Sequence, residues 1–403
     1  MKSARRPTVK HLYYQTAQNM ASQIVSWRRH FHRHPELSFQ ERETARKISQ
    51  LLESLGLEVK TGVAGYGVVG LLRGRKNDRA VALRADMDAL PLQEATGREF
   101  ASANPGVMHA CGHDAHMAMV LGAAAILAQE RDRLPGAVKF IFQPGEEKPP
   151  GGAQRMIEAG VLDDLPVKAL YGLHVHNQFP VGTVAVKEGP VMAAVDNFTL
   201  RIKGRAGHGA SPHQGIDAVV VACEVVLALQ TIISRSSDPL QPAVLTVGTI
   251  KGGEKENIIA AEVELTGTVR TLDAALRSSI KERFRQVVAG VTSAHGAAFD
   301  LDYLQAYPVL YNDERLLGIL RSLDLQALGI GEMARFPAPS MGGEDFAWYA
   351  QRVPALYIFL GTRPSSGEAY NWHHPSFDID ESALPIGAAL LAALAVETLK
   401  LDP

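Results

Sequence analysis

Cysteine is scarce in this chain: two among 403 residues, Cys111 and Cys223. That excludes a disulfide framework, fits a reducing compartment, and leaves each thiol to packing or to chemistry. An excess of one charge is missing as well. Lys and Arg number 41 against 43 Asp and Glu, a formal net charge of -2, so there is no polycationic surface to attract nucleic acid. The longest uncharged apolar stretch, residues 382–396, is shorter than the ~18 residues of a membrane span. Residues 1–10 are basic but lead into no apolar segment of the kind a secretory signal needs. These absences predict a cytoplasmic protein without membrane or nucleic-acid partners. A length of 403 residues at 46% hydrophobic content predicts about two globular domains.

What the chain does have is metal-ligating chemistry packed into nine residues, Met108-His109-Ala110-Cys111-Gly112-His113-Asp114-Ala115-His116. If Gly112 lets Cys111 to His113 run extended, their side chains share one face and reach the same ion. A thiolate and an imidazole suit a zinc-like metal. Asp114 is expected to cap an Ala-rich helix over 115–127. The competing reading is a buried cysteine beside surface histidines, and the spacing matches no standard zinc motif. Further ligands have to come from elsewhere in the chain.

Periodicity predicts two helices over 11–55, broken at His34-Pro35. His30, His32 and His34 sit at that break with no thiol or carboxylate at matching spacing and are read as structural or surface groups. Gly65-Tyr66-Gly67-Val68-Val69-Gly70 spells a dinucleotide fingerprint, but a strand follows it where a helix should open, so it is read as a turn. Strands are predicted over 80–84, 137–142 and 169–175. They lead into Asp86 and Asp88, into Glu146-Glu147, and into His174; paired carboxylates such as Glu146-Glu147 are costly to bury without a cation. From Ala194 the pattern changes to strand 195–203, helix 216–233, strands 243–250 and 259–271, helix 272–294 and strand 299–304. That βαββαβ order is a ferredoxin-like α+β unit, inserted into an α/β domain that resumes with helix 313–327, strand 355–360 and a last helix from about Glu381. The expected domains are 1–192 with 305–403, and 193–304. Cys223, mid-helix among Val and Ala, is expected in the core.

Positions 111, 113, 146, 147, 174 and 373 together supply one thiol, two carboxylates and three imidazoles. This is too much for one tetrahedral ion and suits two. With Cys111 bridging them and Glu147, His113, His174 and His373 completing the set, Glu146 is left as a free carboxylate. A free carboxylate beside such a pair is placed to act as general base.

The motifs Arg84-Ala-Asp-Met-Asp-Ala-Leu-Pro91, His109 to His116, Phe142-Gln-Pro-Gly-Glu-Glu147, Gly172-Leu-His-Val175, Gly207-His-Gly-Ala-Ser-Pro-His213, Gly252-Gly-Glu-Lys-Glu-Asn257 with Gly267-Thr-Val-Arg270, and Ser340-Met-Gly-Gly-Glu-Asp-Phe346 carry a resemblance. In that combination the chain resembles, over nearly its whole length, the amidohydrolases that include aminoacylases, hippurate hydrolases and indoleacetyl (auxin) amino acid hydrolases. These stand within the clan of dinuclear zinc carboxypeptidases. The resemblance implies a mixed-sheet α/β hydrolase domain with an inserted lid and dimerisation domain, two divalent ions (Zn, Mn, Co or Ni), a homodimer, and hydrolysis of N-acyl-L-amino acids. It implies Cys111, His113, Glu147, His174 and His373 as metal ligands and Glu146 as the base. It further implies that Asp88 orients a metal-bound histidine, that His208 polarises the scissile carbonyl and serves the neighbouring subunit's site, and that Asn257, Arg270, Gly342 and Gly343 bind substrate. Asp86 stands where other branches place a ligand histidine and is expected not to be a ligand. Departures at Lys148-Pro149-Pro150, His176-Asn177 and Ile259-Ala260-Ala261 affect the substrate, and His373-His374-Pro375 offers two histidines, of which the spacing to Pro favours His373. The alternatives are a metallo-carboxypeptidase or dipeptidase using the same centre, and a non-catalytic metal- or ligand-binding module. Glu146 separates the last from the others, because holding metal does not require it.

Overall fold

The helical pattern expected as two helices over 11–55 folds as three. The computed structural model describes residues 9–401 apart from Pro337 and Gly367, so most of the basic start, residues 1–8, lies outside the described residues. The chain runs α1 (Val9–Asn19), α2 (Ala21–Arg33), α3 (Arg42–Ser54), β1 (Glu58–Val63), β2 (Gly67–Leu72), β3 (Ala80–Asp86), α4 (His113–Gln129), β4 (Ala137–Gln143), α5 (Ala153–Glu158), β5 (Val167–Pro180), β6 (Thr183–Val186) and β7 (Gly189–Met192). It continues with β8 (Ala194–Lys203), β9 (Gly207–His208), α6 (Ala218–Thr231), β10 (Ala243–Gly252), β11 (Ile258–Ile259), β12 (Glu262–Thr271), α7 (Ala274–Ala294), β13 (Ala298–Tyr307) and β14 (Leu310–Asn312). It closes with α8 (Glu314–Ser322), β15 (Glu332–Arg335), α9 (Ala347–Ala350), β16 (Ala355–Arg363) and α10 (Leu384–Leu401). Contacts divide it into two compact units: Met1–Val191 with Tyr311–Ala338 and Asp345–Pro403, and Met192–Leu310 with Pro339–Glu344.

The first unit is built on an eight-stranded mixed sheet in the order β1-β2-β4-β3-β5-β16-β6-β15. At its centre β4, β3, β5 and β16 are parallel, and such strands, covered on both faces, read as continuous apolar runs. All seven residues of β3 and of β4 are buried. The glycine-rich fingerprint proves to be the turn of the antiparallel β1–β2 hairpin, with Ala64 and Gly65 at positive φ. Helix α4, buried along nearly its whole length, packs on α10. The stretch Glu381–Leu401 is long and apolar enough to cross a membrane, yet 89% of its most apolar window is buried inside this unit. Its apolarity is that of a core helix; the count of uncharged residues understated its length because charged ends flank it.

The second unit folds in the order β8-α6-β10-β12-α7-β13 into an antiparallel sheet β10-β12-β8-β13. Its core lies where α6 and α7 cover the sheet, around Leu200, Val225, Leu265 and Phe284. The strand expected over 259–271 is interrupted at Ala260-Ala261. Cys223 corrects the expectation of a core residue: it is exposed. Helix α6 buries Ala218, Val221, Ala222, Val225 and Leu229, the i, i+3, i+4 face, and Cys223 lies off that stripe. A second stretch that passes the membrane length and composition test, Ala218–Ser236, is this helix and the turn after it; Val219, Val220 and Leu227 are exposed on it.

Candidate metal centre

Parallel strands deliver their carboxyl ends to one edge of the sheet, where open α/β folds place their sites. Asp86 ends β3 and Gln143 ends β4, in register with each other. The chain beyond them supplies Asp88 and the turn 144–147, while His174 stands in β5 opposite Phe359 of β16. Cys111 and His113 do not run extended, as the sequence suggested. Gly112 between them is left-handed, φ 85° and ψ 17°, and is the N-cap of α4. A side chain there would be strained by φ and would also meet Val175 Cγ2 at 2.3 Å.

The turn brings the donors together. Three groups, Cys111 with His113 and His174, Cys111 with Glu147 and His373, and His113 with Glu146 and Glu147, each hold their donor atoms within 4.8 Å of one another. Cys111 belongs to two of them, with Sγ 3.5 Å from His174 Nε2. His373 has a left-handed backbone, φ 64°, donates its N–H to the Ala110 carbonyl, and places Nε2 3.3 Å from Glu147 Oε1. His374 turns elsewhere and stacks on Tyr370 at 4.2 Å. The loop that carries both is tied down by Asn177, whose Nδ2 donates to the carbonyls of Tyr370 and Asp378.

Hydrogen bonds at the far nitrogens fix the rings. His113 Nδ1 donates to the Asp88 carbonyl at 2.8 Å and His174 Nδ1 to the Val175 carbonyl at 2.8 Å. Each leaves Nε2 facing the cluster, the arrangement that orients imidazole ligands. Glu147 Oε1 is buried without a hydrogen bond. Thiol, imidazole and carboxylate atoms thus converge on one spot, and a cation fits that set.

The electrostatics agree. Burial, reinforced by Glu147, Glu146 and Asp86, holds the Cys111 thiol well above its ordinary range, so a thiolate there needs a positive charge beside it. Burial opposes a charge on His113, yet Asp86, Asp88 and Glu147 outweigh it and push its pKa up to about 10. Burial and the neighbouring His116 hold His174 well below.

Around the donors is a frame that sequence reasoning largely missed. The Asp88 carboxylate accepts the amides of Glu146 and Glu147 at 3.0 and 2.9 Å and the Ser38 hydroxyl at 2.6 Å, while lying 3.5 Å from His113 Nδ1. It therefore holds the paired glutamates more directly than it holds the histidine, which its own carbonyl orients. Asp86 is engaged by Arg84 at 2.7 Å and by His116 Nδ1 at 2.6 Å. Asp114 is not the helix cap: Arg28 Nε and His32 Nδ1, both at 2.8 Å, take its carboxylate. A left-handed Gly112 already starts α4, so the acid is free to anchor the helix from behind. His32, read from sequence as structural, also reaches Glu94 at 3.2 Å. The signal for this frame was charge in an apolar context, Arg28 and His32 on a helix with Ile24, Trp27 and Phe31 buried beside them.

In the second unit, β9 pairs with β11 so that His208 faces Ile258, and the Asn257 carbonyl accepts the Gly209 amide at 2.8 Å. His208 is exposed, with Nδ1 accepting the Ala210 amide. Arg270 lies on β12 in register with Val195, is partly withdrawn from water, and has its pKa lowered by that burial. Gly343 sits over it: a Cβ there would lie 2.2 Å from Val195 Cγ2 and 3.4 Å from Arg270 Nη1. Gly342 donates its amide to Ser340 Oγ at 3.0 Å.

Known proteins resemble the chain over most of its length. The chain is 47% identical over 292 residues to the N-acyl-L-amino acid amidohydrolase of Geobacillus stearothermophilus, covering 72% of this chain and 78% of that one. It is 42% identical over 366 residues to the N-acetyl-L-cysteine deacetylase of Bacillus subtilis, covering 91% and 85%. Its structure is similar to a crystal structure of a dinuclear metal-binding peptidase of the M20 family from Bacillus subtilis, with a TM-score of 0.81 and 37% identity over 95% of this chain and 99% of that one. The description of peptidase family M20/M25/M40 matches residues 82–397, and with these relatives it shows that the chain belongs to that family.

Proposed function

We propose that this protein hydrolyses the amide bond of N-acyl-amino acids, giving a carboxylate and a free amino acid, with the help of two divalent ions. The observation that carries the reading is the convergence of Cys111, His113, His174, Glu147 and His373 beside a further buried carboxylate, Glu146. The names of the two relatives above support the substrate class. Those five donors would hold two divalent ions, which would supply Lewis acidity toward the amide carbonyl and lower the pKa of a water molecule. Glu146 accepts the proton of that water and returns it to the leaving amine. Asp88 keeps the Glu146 and Glu147 backbone in place. His208 donates to the amide oxygen as charge develops on it. Asn257 and Arg270 hold the carbonyl and carboxylate ends of the substrate, with Gly342 and Gly343 completing the substrate-binding set; a guanidinium matches a carboxylate bidentately. Release of amino acid from its acetyl, benzoyl and indoleacetyl derivatives is the direct test. The expected result is turnover that chelation abolishes and Zn, Mn, Co or Ni restores. Cleavage of dipeptides with no cleavage of any acyl-amino acid assigns the protein to the peptidases instead.

We also propose a homodimer in which His208 serves the partner's metal centre. The open edge strands of the second unit's sheet, β10 and β13, support it, since a two-fold contact covers such edges. Co-refolding inactive His208→Ala with inactive Glu146→Gln chains then restores roughly a quarter of wild-type activity, from the one intact site in each mixed dimer. A mixture that stays inactive shows that His208 serves its own chain.

A further inference from the structure

The turn that carries Glu146 and Glu147 offers three successive backbone N–H groups, and each ends on a buried carboxylate. Asp88 takes those of Glu146 and Glu147. The Gly145 N–H goes to Glu41 Oε1 at 2.8 Å. Glu41 is fully buried, 105 positions away in sequence from the base it serves, and its Oε2 has no hydrogen-bond partner. The segment that delivers it lies along the other side of the turn. Leu37 bridges to Ala89 and the Ala89 amide donates to the Glu36 carbonyl; Ser38 donates to Asp88. Phe39 has a left-handed backbone, φ 63°, unusual for an aromatic residue. That conformation sets its ring against Gly145, where a Cβ would meet ring carbons at 2.4 to 2.7 Å. Arg155 covers the ring, 4.4 Å from its centre.

A buried carboxylate without a cation is costly, and this one is held beside Asp88. Burial and the Asp88 charge raise its pKa to about 7, against the pull of the backbone groups of Glu41, Phe39 and Gly145. Helix propensity does not ask for it, because Glu41 only precedes α3 and makes no side-chain capping bond. A strained phenylalanine and a buried acid converging on one turn are over-determined in the way that sites of action are.

We propose that Glu41 is a positioning residue: by accepting the Gly145 N–H while Asp88 accepts the next two, it fixes the backbone from which Glu146 works. Ser38 and Phe39 complete the brace. The consequence for catalysis rests on the reading of Glu146 as the base; the brace itself does not.

Two substitutions separate reach from charge. Glu41→Gln keeps the accepting oxygen and loses the charge; Glu41→Asp keeps the charge and falls one methylene short. Amide hydrogen exchange at 145–147, metal content, kcat and KM are measured on both. In Glu41→Asp the Gly145 amide is expected to exchange about tenfold faster or more, and kcat to fall about 10- to 100-fold with KM and metal content unchanged, the scale of a slightly misplaced group. Glu41→Gln should stay within about threefold of wild type throughout, as expected where the oxygen alone is needed. Unchanged exchange in Glu41→Asp overturns the proposal, as does an equal fall in both variants, or a loss of metal with normal kcat per loaded chain. If Glu41→Asp does not fold, an unprotected Gly145 amide in Glu41→Gln overturns it and a protected one supports it. Should Glu146→Gln retain full activity, the base reading falls, while exchange at 145–147 still judges the brace.

Discussion

Glu146→Gln is expected to lose at least about 100-fold in kcat, the usual scale for a positioned acid-base group, while keeping two metals per chain. The substitution is nearly isosteric, and the hydrogen bond that seats this residue is made by its main-chain N–H to Asp88, which Gln retains. What it loses is the ability to take and return a proton. Glu147, one residue on, is the carboxylate grouped with Cys111 and His373, so the metal set does not need a second acid. Steady-state kinetics with elemental analysis on the same preparation decide the point. Glu146 also stands within donor distance of His113 and Glu147, and loss of metal in the variant would make it a ligand rather than the base.

Arg28→Met is expected to destabilise the protein by about 3–5 kcal/mol, the cost of removing one partner from a buried ion pair. Arg28 is 1% exposed and reaches Asp114 at 2.8 Å, Asp378 at 2.9 Å and Glu381 at 3.1 Å. Methionine fills much of the volume but leaves Asp114 with His32 alone. Burial works against the Asp114 charge, but Arg28 and then His32 outweigh it and hold the carboxyl well below the ordinary range. A depressed folded-state pKa contributes stability above the unfolded value of about 3.9 and loses it as pH falls toward the folded value. The deficit of the variant should therefore be full near neutral pH and narrow as pH falls from about 3.9 toward the depressed folded value, over which the wild type loses the contribution of the pair. Urea unfolding of both proteins, metal-free so that ligand binding does not mask the difference, measures it. A deficit that does not change with pH would mean that Arg28 contributes by packing alone.

The family motifs and the order of the elements were legible because each is a local property. Apolar runs mark β3, β4 and β5, periodicity marks α3, and the donor residue types stand at the ends of the strands. The four-residue strands β6 and β15 were not legible, since so short a run carries no periodicity to read. Cys223 was misjudged because a helix that is apolar nearly all round, as α6 is, hides which of its faces meets the sheet.

The sequence by itself determined which chemistry is present: a thiol, paired carboxylates and imidazoles at strand ends, with glycine beside them. Only the tertiary structure decided how that chemistry is aimed. It made Gly112 a left-handed turn instead of an extended link, gave Asp114 to Arg28 and His32 instead of to the helix end, and brought Glu41 to Gly145. Each of those outcomes depends on partners tens to hundreds of residues away, and on burial that makes an unpaired charge or amide too costly to leave. Neither distance nor burial is written in a local window.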